Sequence, residues 1–148
     1  MTMQTGDPAP DVTARNHDGD AVTLEFDDPT VVYFYPRDGT PGCTLEAREF
    51  EADIESFRRT GVTVYGVSMD DVDSHRKFAD EEDLSFDLLA DPDAVVADAF
   101  GVETKGEFVD RVTFVLADGE VKAVVDADTM NPEGHAADVL EAVERAAE

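Results

Sequence analysis

A thiol occurs once in this chain, at Cys43, within Pro36-Arg37-Asp38-Gly39-Thr40-Pro41-Gly42-Cys43-Thr44. Thr40 is a favourable N-cap and Pro41 suits the first helical position, so this spacing predicts Cys43 in the first turn of a helix. There the unpaired backbone N–H groups and the positive end of the helix dipole stabilise an anion and favour thiolate over thiol. A lone cysteine is otherwise most often a small buried hydrophobe. Its place after Thr-Pro-Gly at a strand-to-helix junction points instead to an activated sulfur. One cysteine permits no intrachain disulfide and no Cys-x-x-Cys oxidoreductase chemistry, and His17, His75 and His135 lack zinc-ligand spacing. No metal or cofactor is expected. Phosphate-binding glycine loops, dinucleotide fingerprints and nucleophile-elbow serines are also missing from the sequence.

The elements that must position this sulfur are legible around it. Val31 to Tyr35, β-branched and aromatic throughout, reads as a strand buried on both faces and stopped by Pro36. Phe50, Ile54 and Phe57 form the apolar stripe of one helix closed by Gly61. Val62 to Val67 is a second buried strand, and Asp70 to Asp83 is a helix carrying Val72, His75 and Phe78 at helical spacing. Upstream, Val12 to Ala14 and Ala21 to Leu24 flank the turn dipeptide Asp18-Gly19 as a hairpin. Downstream, Phe86 to Leu89 is a short apolar segment and Ala94 to Phe100 a short helix ended by Gly101. Val112 to Leu116 and Val121 to Val125 form a hairpin across Asp118-Gly119, and Glu133 to Ala147 is a terminal helix. Strands alternating with helices and closed by an antiparallel hairpin predict an α/β domain spanning 1–148, with a mixed central sheet flanked by helices. A thioredoxin-like fold satisfies that order.

Composition narrows the partners. Eleven Lys plus Arg stand against thirty-six Asp plus Glu, a formal net charge of −25, which opposes binding to nucleic acid or an anionic membrane surface. The 42% hydrophobic content argues for a folded chain despite that charge. Carboxylates are spread along the chain and only three cations are lysines, a composition that resembles proteins of salt-loving organisms. Neither a secretory signal nor a spanning segment is legible, so a cytoplasmic location is expected.

Pro36, Thr40 and Cys43 match the Pro-x-x-x-Thr-x-x-Cys motif of the peroxiredoxins. The wider string Tyr33-Phe34-Tyr35-Pro36, Thr40-Pro41-Gly42-Cys43-Thr44 and Glu46-Ala47 resembles the bacterioferritin comigratory protein or peroxiredoxin Q subfamily. Gly66-Val67-Ser68, Ser74-His75, Leu88-Leu89-Ala90-Asp91, Gly101-Val102, Arg111-Val112-Thr113-Phe114 and Gly134-His135 extend the likeness nearly end to end. The resemblance implies a thiol peroxidase acting on hydrogen peroxide and organic hydroperoxides through a sulfenic acid at Cys43. Thr40 and the Cys43 N–H would hold the peroxide, Arg111 would supply positive charge, and Pro36 would shield the pocket. Glu46, on the helical face of Cys43, could orient Arg111 through a bidentate pair. His75 and His135 are read as helix residues with local hydrogen bonds.

Many members of the resembled subfamily carry a resolving cysteine five residues after the first. Here that position is Arg48. An external thiol, from a thioredoxin-like protein or a small molecule, must then resolve the sulfenic acid, and the expected state is a monomer or weak homodimer. Arg48, one turn on from Cys43, is either a solvated helix arginine or a cation that lowers the thiol pKa or attracts an anionic reductant. Rival readings are a peroxide sensor or relay that oxidises a partner protein, and a redox-inert interaction module. A glutathione-peroxidase relative is disfavoured because the chain has no tryptophan.

Overall fold

The computed structural model describes residues 2–126 and 132–146. Seven strands form one sheet: β1 (Val12–Asn16), β2 (Ala21–Leu24), β3 (Thr30–Phe34), β4 (Thr63–Ser68), β5 (Asp87–Ala90), β8 (Val112–Ala117) and β9 (Glu120–Asp126). Their spatial order is β2-β1-β5-β4-β3-β8-β9. Parallel pairing joins β3 to β4 and β4 to β5, while β1 on β5, β8 on β3 and β9 on β8 are antiparallel. This is the mixed sheet of a thioredoxin-like fold. A two-stranded hairpin, β6 (Thr104–Lys105) with β7 (Phe108–Val109), lies apart from it.

Strand β3 sits near the centre and every residue in it is buried. Its alternation feeds two cores. Val31 and Tyr33 face one layer with α1 (Pro41–Ala52), α2 (Ile54–Arg59), α3 (Val72–Glu81) and α5 (His135–Ala146); Val32 and Phe34 face the other, with α4 (Val95–Phe100) and the N-terminal hairpin. Glycine is required at Gly66 on β4, where a Cβ would lie 2.8 Å from Tyr33 Cζ and 2.9 Å from Leu88 Cδ2. That close approach lets the Tyr33 ring stack on Phe50 with centroids 4.3 Å apart, directly beneath α1.

The local expectations differ from the structure in five places. The single helix expected up to Gly61 is interrupted at Asp53 (φ −98°, ψ 6°), although Asp53 N–H still donates to Glu49 O and Phe57 N–H to Asp53 O. The acidic helix covers Val72–Glu81, shorter than 70–83, because the Asp71 carboxylate caps it by accepting from Ser74 N–H. The short helix starts at Val95, after Ala94 in the left-handed region, and buried Asp91 accepts from Val96 and Ala97 N–H. The β6–β7 hairpin was not anticipated, since two-residue strands leave no periodic signal. The terminal helix begins at His135, and Ala147 of its expected range lies outside the described residues. No helix among the described residues is long and apolar enough to cross a membrane.

Candidate active site

Cys43 is the third residue of α1, behind Thr40 at the N-cap and Pro41 at the first helical position. Thr40 has the extended backbone of a cap (φ −76°, ψ 153°), but its side chain does not cap the helix. Its hydroxyl donates to Arg37 O at 3.1 Å instead. Two consequences follow for chemistry. The N–H groups of the first turn keep their capacity to face an anion, and the Thr40 oxygen, having spent its hydrogen, retains lone pairs to accept another donor.

Arg111, immediately before β8, reaches the same point from the sheet. Its Nη2 donates to Cys43 Sγ at 3.4 Å and its Nη1 to Glu46 Oε1 at 2.5 Å, with all three residues buried. The helical spacing of Cys43 and Glu46 therefore places both on one guanidinium. Burial pulls the Arg111 pKa down, and its neighbours Glu46 and Cys43 more than reverse it. Burial also pushes the Glu46 carboxyl up to about 7, against the pull of Arg111. Behind Glu46 stands His135, its Nε2 at 3.7 Å from Glu46 Oε2 and 2.7 Å from Thr113 Oγ1. Burial, aided by the Arg111 charge, lowers the His135 pKa to about 4 against Asp138.

Pro36 and Thr40 belong to the 36–40 loop that leads from β3 to α1, both half-buried. A cavity of about 320 Å³ opens beside Arg111, between Lys105 and Asp110. In the same 36–40 loop, the Arg37 guanidinium lies 5.7 Å from the ring centre of exposed Phe108. Arg48 projects away on α1, its side chain two-thirds exposed, and pairs with Glu82 at 2.5 Å.

Both helix histidines correct the sequence reading. Neither makes a local side-chain bond: His135 bonds Thr113 across 22 residues and His75 faces Asp38 across 37. The wider His75 cluster, with Tyr35, Asp38, Ser68, Asp70 and Ser74, was also missed. Asp38, lying between Pro36 and Thr40, was the available signal.

The AhpC/TSA family model matches residues 5–124. Rice chloroplastic peroxiredoxin Q is 39% identical over 142 residues, covering 93% of this chain, and the chain spans 65% of that protein's length. Peroxiredoxin Bcp of Bacillus subtilis is 35% identical over 150 residues, covering 95% of each chain. A structure of Xanthomonas campestris bacterioferritin comigratory protein, solved for its alkyl peroxide reduction, superposes with a TM-score of 0.84 at 31% identity, covering 93% of this chain and 92% of that one. With its lone Cys43 opening a helix against Arg111, the chain belongs to the AhpC/TSA family, in its peroxiredoxin Q and bacterioferritin comigratory protein branch.

Proposed function

We propose that this protein is a thiol-dependent peroxidase that reduces hydrogen peroxide and organic hydroperoxides at Cys43. The observation that carries the reading is the Arg111 guanidinium donating to Cys43 Sγ at 3.4 Å in the first turn of an uncapped helix. Thiolate sulfur attacks the near peroxide oxygen in line. The S–O bond forms as the O–O bond breaks, leaving a sulfenic acid, and the departing oxygen takes a proton to leave as water or an alcohol. The Thr40 lone pairs accept the peroxide hydrogen, the Cys43 N–H and Arg111 face the charge that develops on oxygen, and Pro36 limits water entry. Glu46 fixes the orientation of Arg111 through the Nη1 bond. The alkyl peroxide reduction of the Xanthomonas relative supports organic hydroperoxides as substrates.

Regeneration comes from outside the chain. The only thiol in the sequence is the one that has been oxidised, so an external thiol attacks the sulfenic sulfur, forms a mixed disulfide and releases water. A second thiol then frees Cys43. Because Cys43 is only 1% exposed, the first turn of α1 must open to admit the reductant.

The test is Cys43→Ser, which keeps the volume but supplies no ionised nucleophile near neutral pH. Peroxidase activity should vanish while the melting transition persists. Intact mass of the wild type after stoichiometric peroxide should show one added oxygen, replaced by a mixed disulfide when a small thiol or reduced thioredoxin is present. Turnover retained by the serine variant, or a disulfide-linked dimer as the main species turning over, would overturn the reading.

A further inference from the structure

The active cysteine is approached through the 36–40 loop, which has no regular secondary structure. Both the backbone and the side chain of its middle residue are fastened. Asp38 Oδ1 accepts from Tyr35 O–H at 2.6 Å; Oδ2 accepts from Ser74 O–H at 2.8 Å and faces His75 Nδ1 at 2.7 Å. The Asp38 N–H donates to Asp70 Oδ2 at 2.8 Å, and that oxygen also accepts from Ser68 O–H at 2.6 Å. On its far side, His75 Nε2 faces Leu89 O in β5 at 3.0 Å. A carbonyl only accepts, so Nε2 carries a hydrogen, and the bond at Nδ1 then uses a proton shared between His75 and Asp38. The loop is thus tied to the end of β3, the end of β4, α3 and β5.

We infer that Asp38 and His75 are positioning residues for the peroxide reaction: through this network they fix the loop that presents Pro36 and Thr40 to a peroxide at Cys43. The inference rests on the peroxidase reading above. Burying so many polar groups brings little stability by itself, since apolar replacements of buried ionic clusters are often no less stable. What the network supplies is a single loop geometry. Among the described residues, none of its six side chains has a hydrogen bond or ion pair to Cys43, Glu46 or Arg111. Loosening it should move the peroxide pocket and leave the sulfur's own partners in place.

That separation defines the experiment. Rate constants for Cys43 are measured in the full chain against hydrogen peroxide, which needs the pocket, and against iodoacetamide, which needs only a reachable thiolate. Asp38→Asn should slow the peroxide reaction by about tenfold to a hundredfold, the cost of misplacing reacting groups by around an ångström. Its alkylation should be unchanged or faster. Ser74→Ala and Tyr35→Phe, which each remove one donor, should shift the ratio the same way by a smaller factor, and they decide the matter if Asp38→Asn lacks a melting transition. Equal slowing of both reactions, or slowing of neither, overturns the positioning role while leaving the peroxidase standing. A wild type that reacts with peroxide no faster than free cysteine overturns the peroxidase reading and this inference with it.

Discussion

Two polar clusters, one buried and one half-buried, flank the start of α1, and they are built to different standards. On the α5 side, Arg111, Glu46 and His135 surround Cys43, with Glu46 pushed up to about 7 and His135 down to about 4, both chiefly by burial. Among the described residues, Glu46 Oε2 has no hydrogen bond. On the α3 side, Asp38, Asp70 and His75 share their bonds with Tyr35, Ser68 and Ser74, and none of these side chains has a buried atom without a partner. The contrast teaches where this fold concentrates chemistry. A reacting group needs neighbours with capacity to spare for a substrate, whereas a group that only holds the chain in place is best fully occupied.

The α5-side cluster turns on Arg111, which bonds both Cys43 and Glu46. Arg111→Lys keeps a positive charge but cannot donate from two fixed nitrogens to sulfur and carboxylate together. The peroxide rate constant should fall by about a hundredfold to a thousandfold, the range for losing a donor aimed at developing charge. Stopped-flow peroxide consumption checks it. A fall of less than threefold would mean that positive charge alone is required, not the two-pronged geometry.

Glu46→Gln exposes the cost of the buried carboxyl through pH. A carboxyl raised on folding holds its proton in the folded chain at pH values where the unfolded chain has lost it. Its penalty is therefore absent below the unfolded value of 4.5, grows as pH rises, and is complete above about 7. His135 works in the opposite sense: its folded pKa of about 4 lies below the ordinary 6.5, so its contribution is present above 6.5 and lost as pH falls towards 4. The two oppose each other between pH 4.5 and 6.5. Removing the Glu46 charge should let the variant gain on the wild type by on the order of 3 kcal/mol across its window, at about 1.4 kcal/mol per pH unit. Urea midpoints of both proteins at several pH values measure the difference. A difference flat with pH would show that the Arg111 pairing outweighs burial and keeps Glu46 ionised throughout.

Much of the α5-side cluster was readable in the sequence, and almost none of the α3-side cluster. Helix-start chemistry at Thr40-Pro41 placed Cys43 correctly, and the three-residue spacing put Glu46 on its face. Arg111 lies 68 residues from Cys43, and only the family likeness linked them. Strand β3 and the β8–β9 hairpin were legible because apolar alternation and an Asp-Gly turn are local signals. Asp38 and His75 meet only after β3, β4 and α3 have packed, and neither the polar loop nor the acidic helix announces a partner 37 residues away. Thr40 shows the same limit at short range: its type predicted a side-chain cap, yet its hydroxyl turned back to Arg37 O.

Salt distinguishes both clusters from the surface. A formal charge of −25 on 148 residues lies largely on exposed carboxylates, which repel one another in dilute buffer. Raising salt from about 0.1 M to 1 M shortens the Debye length from about 10 Å to about 3 Å and should weaken that repulsion. Surface pairs such as Arg48–Glu82 and Lys122–Glu120 would weaken too, but exposed pairs of this kind add little to stability and carboxylates far outnumber cations. The melting temperature should therefore rise by a few degrees from dilute buffer to molar potassium chloride, as the halophile-like composition implies. The buried clusters are largely shielded from dissolved ions, and hydrogen peroxide carries no charge to be steered. Its rate constant at Cys43 should accordingly stay within about twofold over the same range. A flat or falling melting temperature would remove the salt-adapted reading of the surface. A rising melting temperature accompanied by a large change in the peroxide rate constant would show that the surface field reaches the Arg111–Glu46–Cys43 site, and the separation between buried chemistry and acidic coat would fail.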